Sequence, residues 1–422
     1  MMHHRWIVII SAYIVETIAM GLFTAFPVLF LTLLETFTES RERTATTTSV
    51  LLGVSGSTGV INGILVQRIG PSRSGFLAGM LMSFGWMVSF FSSSILYLDL
   101  LLAVPMGIGT SVVLISTNNI LSHYFTGYAR IIALSIQSTA AALGRLIFTY
   151  ILTACGETFG LKGTFLIMGA VLLNCCILTI LWQIPQSTEC RISKKLPSLS
   201  NKSGKQRFLL QCRPVLSHNI FIIFCIGTAF LYVPHNGFII VFTDIMRNQG
   251  SSDENLTQAY LIHSISNLLG RISFGVLEQV PKTGIMSILL LNACMSIISF
   301  ATMHLAKGVS TIAIASFFFG FEFGATVSSF PIGTLKILGI EHMPVGMGFL
   351  FSLAGIGNVV VGPIFGRIRD SSGSYAMSLW ISTLSAGIAA ILFLAAIFVK
   401  RRRHRRIVIS DISEHVFTVT KL

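Results

Sequence analysis

Long apolar stretches recur along almost the whole chain, and they restrict its fold more than any other feature. About 20 apolar residues in a helix cross the hydrocarbon core of a bilayer, and the 422-residue chain contains twelve such stretches. They lie at about 6–32, 46–66, 74–93, 95–121, 131–155, 161–184, 218–242, 257–277, 284–306, 309–336, 344–366 and 376–399. Membrane-spanning strands would instead show alternating segments of about ten residues. The sequence therefore predicts an all-α membrane protein with twelve transmembrane helices.

The composition agrees with a membrane protein. Only 11% of the residues are charged and the mean hydropathy is +0.79, whereas a soluble domain has about 25% charged residues. The first apolar stretch is too long for a signal peptide and lacks a small-residue cleavage site after it. Nothing in the sequence predicts an enzyme or a cofactor. The cysteines lack the spacing of metal ligands, and there is no glycine loop of the kind that holds the phosphates of ATP.

One long polar segment, rich in Lys, Ser and Arg, interrupts the apolar pattern and divides it into six plus six stretches. We therefore predict a six-helix half at 1–185, a flexible basic linker at 186–216, a second half at 217–399 and a basic tail at 400–422. Loops on the cytoplasmic side of a membrane are enriched in Lys and Arg. Most of the 29 lysines and arginines fall on the side of the linker and the tail, so we expect both termini to be cytoplasmic.

The tail begins with "KRRRHRR" at Lys400 to Arg406. Taken alone, such a run resembles a nuclear signal or a nucleic-acid patch. Directly after a membrane span, we interpret it as a topology determinant that contacts anionic lipid headgroups of the bilayer. No nucleic-acid partner is expected.

Four ionisable side chains fall inside the predicted spans: Glu16, Arg145, Arg271 and Glu322. A charge at this depth costs about 2.5 to 3.5 kcal/mol on insertion scales, so each side chain requires a pairing or a functional role. Two are acidic and two are basic, so the signs balance.

The eighth predicted span contains "SISNLLGRISFG", in which an arginine follows a polar face. His263, Asn267 and Arg271 are spaced four residues apart and therefore lie on one side of a helix. A guanidinium offers paired donors that fit a carboxylate. We predict that Arg271 binds a substrate carboxylate, that Asn267 and His263 tune the site, and that Glu322 is the counter-ion of the empty site. A purely structural ion pair of Arg271 with Glu322 or Glu16 is the alternative.

The first and fifth predicted spans also contain polar candidates. Glu16 and Thr24 share one face of the first span, and Glu16 either takes up a proton there or reaches the membrane interface. Arg145 follows the small residues of "STAAALG", which are typical of close helix packing. Its role is either a structural pairing or that of a proton or counter-ion group.

Several motifs, taken in order along the chain, are typical of known transporters. The six-plus-six arrangement and "GILVQRIGPSR", from Gly63 to Arg73, resemble the major facilitator superfamily, although Gln67 replaces its usual acid. Four stretches resemble the monocarboxylate transporter family, in the right order: "YFTGYARIIALSIQSTAAALG", "SISNLLGRISFG", "FFFGFEFG" and "GPIFGRIRDSSGSY". The family's acidic, glycine and tryptophan opening to the first span is missing here.

The resemblance implies a carboxylate carrier with an altered site. Thr24 stands where the family's lactate carriers have a lysine, and Asn267 stands where they have an aspartate, whereas Arg271 is kept. We therefore expect carboxylate binding to carry over and uptake to depend weakly or not at all on a proton gradient. His263 and Glu16 are the titratable side chains that would replace the missing lysine and aspartate if uptake is coupled to protons.

The sequence thus predicts a secondary or facilitative transporter of the plasma membrane that moves a small organic anion or zwitterion by alternating access. An accessory single-span protein, of the kind some relatives need for surface delivery, is a candidate partner. A channel is disfavoured because the sequence shows no filter repeat or charge ring. A transport-inactive receptor or interaction subunit with the same fold is the remaining alternative.

Overall fold

The computed structural model describes residues 2–39, 41–182, 204–248, 253–280, 284–305 and 309–419, and these residues are almost entirely helical. The first eight helices are α1 (Met2–Ala25), α2 (Phe30–Phe37), α3 (Arg41–Ser57), α4 (Gly59–Ile69), α5 (Pro71–Val88), α6 (Ile95–Leu98), α7 (Val104–Tyr124) and α8 (Gly127–Ile180). The others are α9 (Gly204–Leu216), α10 (Asn219–Asn248), α11 (Asp253–Leu277), α12 (Ile285–Leu305), α13 (Val309–Leu338), α14 (Met343–Ser372) and α15 (Ala376–Val419).

The prediction of twelve membrane-spanning helices is confirmed. Within the described residues, nine helices are long and apolar enough to cross a bilayer, and the bent pair of α3 and α4 makes up to ten. The 54-residue α8 contains two spans, since Gly160 interrupts it with a backbone φ of 65°. The remaining span is α11, whose mean hydropathy is lowered by the polar face that contains Arg271.

Two predicted spans are broken within the membrane. Pro27 cannot donate a backbone hydrogen bond, and a short 3-10 turn at Phe26–Leu29 separates α1 from α2. The second span bends by 52° between α3 and α4. Hydropathy does not predict either break, because both segments remain apolar on each side of it.

The polar segments at the linker and the tail are more helical than the sequence suggested. The predicted flexible linker includes helix α9, while residues 183–203 lie outside the described part of the chain. The last helix continues past the predicted end of the span at Val399 to Val419. The sequence from Ile388 to Val419 contains neither Gly nor Pro, so no helix-breaking residue ends the helix at the membrane surface.

The helices before α9 contact those after it along two seams. At the first, α3 and α4 pack against α14, with Gly56 directly against Gly355 and the Val60 N–H donating to Ser352 Oγ at 3.1 Å. At the second, α8 packs against α11 and α13, and the Ser138 and Ser328 hydroxyls lie 2.7 Å apart. The small residues at both seams allow the helix backbones to approach closely.

Side chains at the end of α4 fasten it to its surroundings. Gln67 Nε2 donates to the Glu341 carbonyl at 2.6 Å, in the turn between α13 and α14. Arg68 donates from Nε and Nη2 to Gln211 Oε1 of α9, at 3.1 and 3.0 Å. The bundle is therefore held closed at the end where α9 lies.

Candidate functional site

A cavity of about 190 Å³ lies between the two seams. Its walls come from α1, α7 and α8 on one side and from α10, α11, α13 and α14 on the other. Six of the seven candidate residues that we chose from the sequence line it: Glu16, Thr24, Arg145, His263, Asn267 and Arg271. Helical periodicity thus identified the polar face of α1 and that of α11, and the fold brings the two faces to one cavity.

Arg271 is 6% exposed, and only part of its guanidinium is bound by the protein. Nε donates to Asn267 Oδ1 at 2.8 Å, and Nη1 donates to the backbone carbonyl of Ser138 on α8. Among the described residues, none accepts a hydrogen bond from Nη2 or forms a salt bridge with Arg271. The arginine is therefore fixed in orientation, with donors left for a ligand in the cavity.

The close contact between α11 and α13 positions this arginine. Gly320 lies against the His263 backbone, and Gly324 lies against the backbone of Asn267 and Arg271. A side chain at either glycine would hold the helices apart. The glycine face of α13 therefore packs against α11 and fixes the position of the polar residues of α11 along the bundle.

Glu16 contributes a buried carboxylate to the wall of the cavity. Its Oε2 accepts hydrogen bonds from Thr117 Oγ1 at 2.7 Å and from Gln137 Nε2 at 2.8 Å. Glu16 is 1% exposed, so it does not reach the membrane interface. It lies close enough to Arg271 for an electrostatic interaction. Sequence reasoning did not select Thr117 and Gln137, because they come from two other helices.

Arg145 and Thr24 complete the polar wall on the same side. Arg145 lines the cavity and forms no salt bridge with any described residue. The Thr24 hydroxyl donates to the Met20 carbonyl of its own helix at 2.7 Å. Thr24 therefore offers the cavity an oxygen rather than the positive charge that the resemblance places at this position.

From the sequence we expected Glu322 to lie beside Arg271, but the structure places it elsewhere. The Glu322 carboxylate lies 2.7 Å from His235 Nδ1, outside the cavity wall. Successive residues of a helix are rotated by about 100°, so Glu322 points almost opposite to Gly320 and Gly324. The glycines face α11, and Glu322 consequently faces α10.

Aromatic side chains form the other wall of the cavity, and our sequence reasoning did not select them. The Tyr232 ring stacks on Phe323 at 5.6 Å between centroids and lies 5.2 Å from Phe330. Phe351 continues this wall, with its ring centroid 6.0 Å from that of Phe330. The cavity thus has a charged side and an aromatic side.

The Major Facilitator Superfamily profile matches residues 9–339, more than three quarters of the chain. The chain belongs to this superfamily. Solved structures of major facilitator proteins share the fold. They include the proton:xylose symporter XylE bound to 6-bromo-6-deoxy-D-glucose, with a TM-score of 0.69, 13% identity and coverage of 93% of this chain and 96% of that one. The fucose:proton symporter FucP of E. coli has a TM-score of 0.69 at 14% identity, covering 92% of this chain and 97% of that one.

Curated relatives from this superfamily are similar over most of the chain. Human monocarboxylate transporter 14 is 23% identical, with 92% of this chain and 89% of that protein covered. Rat monocarboxylate transporter 13 is 22% identical over 93% and 89% of the two chains. Mouse monocarboxylate transporter 6 is 24% identical over 90% and 83%. The chain is thus a multi-pass membrane protein of a transporter family rather than an enzyme. In that superfamily, substrate sites lie between the two halves near the bilayer midplane, and this cavity is likewise lined by helices from before and after α9.

Proposed function

We propose that this protein is a secondary or facilitative transporter that moves a small monocarboxylate across the plasma membrane by alternating access. The observation that carries the proposal is the Arg271 guanidinium. It is held by Asn267 and the Ser138 carbonyl, it lines the cavity, and no described residue accepts from Nη2. A carboxylate is the ligand that such a forked donor fits best.

The charges that line the cavity favour an anion over a zwitterion. Glu16, Arg145 and Arg271 are the acidic and basic residues of the lining, apart from His263. With Glu16 ionised and His263 neutral, these side chains carry one net positive charge. A monocarboxylate cancels that charge, whereas a zwitterion leaves it uncompensated in a medium where isolated charges are costly.

The size and the aromatic wall restrict the rest of the substrate. An engineered cavity of about 150 Å³ holds one benzene molecule, so about 190 Å³ suits a small organic acid. Tyr232, Phe323 and Phe330 offer a surface for an apolar tail. We infer that the substrate has one carboxylate at the Arg271 side and an apolar group at the aromatic side.

We expect an uptake screen to identify such a substrate. Cells expressing the protein would be given labelled lactate, phenylalanine and creatine, with and without a pH gradient. A monocarboxylate without an ammonium group should enter fastest, because it alone balances the net charge of the site. If no compound enters or alters the thermal stability of the purified protein, a transport-inactive receptor or interaction subunit becomes the better hypothesis.

The orientation of the chain in the membrane gives a second expected result. The segment 186–214 and the tail after Lys400 should both lie in the cytoplasm, because they contain most of the clustered basic residues. Epitope tags inserted in either segment should bind antibody after permeabilisation of the plasma membrane. A tag on the turn at Gly339, placed on the same side, is the matched control. Labelling of these tags on intact cells would reverse the orientation.

A further inference from the structure

A second titratable site lies behind the cavity, where His235 of α10 meets Glu322 of α13. His235 Nδ1 and Glu322 Oε1 are 2.7 Å apart, and the two side chains are 0% and 1% exposed. The imidazole lies flat between Phe319 and Phe323, with ring centroids 3.7 and 3.8 Å away and interplanar angles of 10° and 5°. The pair is therefore held rigidly in an apolar sandwich.

The pair retains unused hydrogen-bonding capacity. His235 Nε2 and Glu322 Oε2 are both buried, and neither has a hydrogen-bond partner among the described residues. No described lysine or arginine forms a salt bridge with Glu322. Ser296 of α12 and Thr326 of α13 are its uncharged polar neighbours. A buried pair that needed only to stabilise the fold would leave fewer polar atoms unpaired.

The pair communicates with the cavity through one side chain. His263 of α11 lines the cavity, and its ring centroid lies 5.9 Å from that of His235. Arg145 of α8 and Arg271 of its own helix both act electrostatically on His263. Helices α14 and α15 also pack against α10, and their side chains that contact it include Val361, Asn358 and Ser385, all of which are uncharged.

We infer that the His235–Glu322 pair binds one proton and that this proton crosses the membrane together with the substrate anion. This coupling step rests on the proposed carboxylate transport, whereas the proton site itself does not. Neither residue touches the cavity, so the proton and the carboxylate occupy separate places. His263 is the route by which a proton from water in the cavity reaches the pair.

The charges of this cycle balance. With a neutral imidazole and an ionised carboxylate the pair carries one negative charge, and one added proton, on either partner, makes it neutral. An unpaired buried charge costs several kcal/mol, so the neutral form is favoured while the bundle is closed. When the other side opens, water reaches the pair and the proton leaves. One proton and one monocarboxylate then move together with no net charge.

The pair changes the expectation drawn from the sequence alone. That expectation of weak proton coupling rested on Thr24 and Asn267, which face the substrate and do not supply the lysine and aspartate of the lactate carriers. Coupled titration of a histidine and a carboxylate in contact requires neither of those residues. His263 and Glu16 are the other candidate proton carriers, so the test must distinguish them from the His235–Glu322 pair.

The proton site is tested first without any substrate. Purified full-length protein is titrated with acid between about pH 9 and pH 5, a range that covers perturbed histidines and carboxylates, and its proton uptake is compared with that of variants. Wild type should take up about one proton per molecule more than Glu322→Gln. Glu322→Asp should keep that proton, and His235→Gln should shift its midpoint. Glu278→Gln is the matched control, because its buried carboxylate is already paired with Lys336. Identical curves for wild type and Glu322→Gln would overturn the proposal.

The coupling is tested in proteoliposomes with the labelled carboxylate that the screen identifies. Exchange of labelled for unlabelled substrate moves no net proton, so Glu322→Gln and His235→Gln should retain exchange. Both should lose at least ten-fold in accumulation driven by an inward proton gradient, whereas Glu16→Gln should not lose this accumulation selectively. Undiminished accumulation in both variants would overturn the coupling. If wild type exchanges none of the carboxylates, the proposed function fails, while the titration still decides the proton site.

Discussion

Arg271→Ala is expected to abolish carboxylate transport and to leave the amount of protein at the cell surface unchanged. The substitution removes the guanidinium that Asn267 and the Ser138 carbonyl hold toward the cavity. Removing one member of a buried, hydrogen-bonded charge pair costs about 2 to 5 kcal/mol. Since about 1.4 kcal/mol corresponds to a factor of ten, transport should fall about 30-fold to several thousand-fold. Initial rates of labelled carboxylate uptake, divided by surface-biotinylated protein, measure this effect.

Two further variants separate a binding role from a general loss of charge. Arg271→Lys should also transport poorly, because an ammonium cannot reproduce the forked contact. Arg73→Ala removes an exposed arginine near the start of α5, away from the cavity, and should transport normally. Full activity of Arg271→Ala would remove the substrate carboxylate from this site.

Gly324→Ala is expected to destabilise the protein and to reduce transport together. An added Cβ would lie 2.9 Å from the Asn267 carbonyl carbon and 3.0 Å from the Arg271 nitrogen, so α11 and α13 must separate. Overpacking of this kind costs about 1 to 3 kcal/mol, which exceeds the gain of up to about 1 kcal/mol from replacing glycine in a helix. The shift of α11 also displaces Arg271. Thermal unfolding of the purified protein and uptake assays measure the two effects.

The control for this variant is Gly387→Ala in α15. No heavy atom lies within 4 Å of a Cβ added there, so the same chemical change should leave stability unchanged or raise it. A loss of stability in Gly387→Ala equal to that in Gly324→Ala would show that the contact between α11 and α13 is not responsible.

Hydropathy predicted the spans well because a bilayer imposes one physical requirement on every helix that crosses it. The exceptions have local causes. The second span bends at Thr58, between α3 and α4, within the short stretch "SGSTG" from Ser55 to Gly59 that apolar residues flank on both sides. Helix α9 lies within a polar linker, and its Gln211 accepts a hydrogen bond from Arg68 at the end of α4, which is distant in sequence. Hydropathy alone indicates neither the bend of the second span nor the contact between α9 and α4.

The site was predictable where one helix determines it and not where several meet. Periodicity within α11 placed His263, Asn267 and Arg271 on one face, and all three line the cavity. The partner of Glu322 depends on which face of α13 packs against which helix. The spacing of Gly320 and Gly324 already indicated that face, since small residues four apart mark a close helix contact. The partner of Glu322 is His235, whose stacking on Phe319 and Phe323 arises only in the folded bundle.

The glycine contacts between α4 and α14 and between α3 and α14 have a consequence for the proposed alternating access. Gly56 lies backbone to backbone against Gly355, and Gly59 lies in the same way against Gly348. Interlocked side chains would have to leave their grooves and change rotamers before the halves could roll over one another. At these two glycine contacts the backbones meet with no side chain between them, so no rotamer change is required there. For the proposed carrier, we therefore expect changes at this seam to alter the turnover rate, and changes at Arg271 to alter the affinity for the substrate.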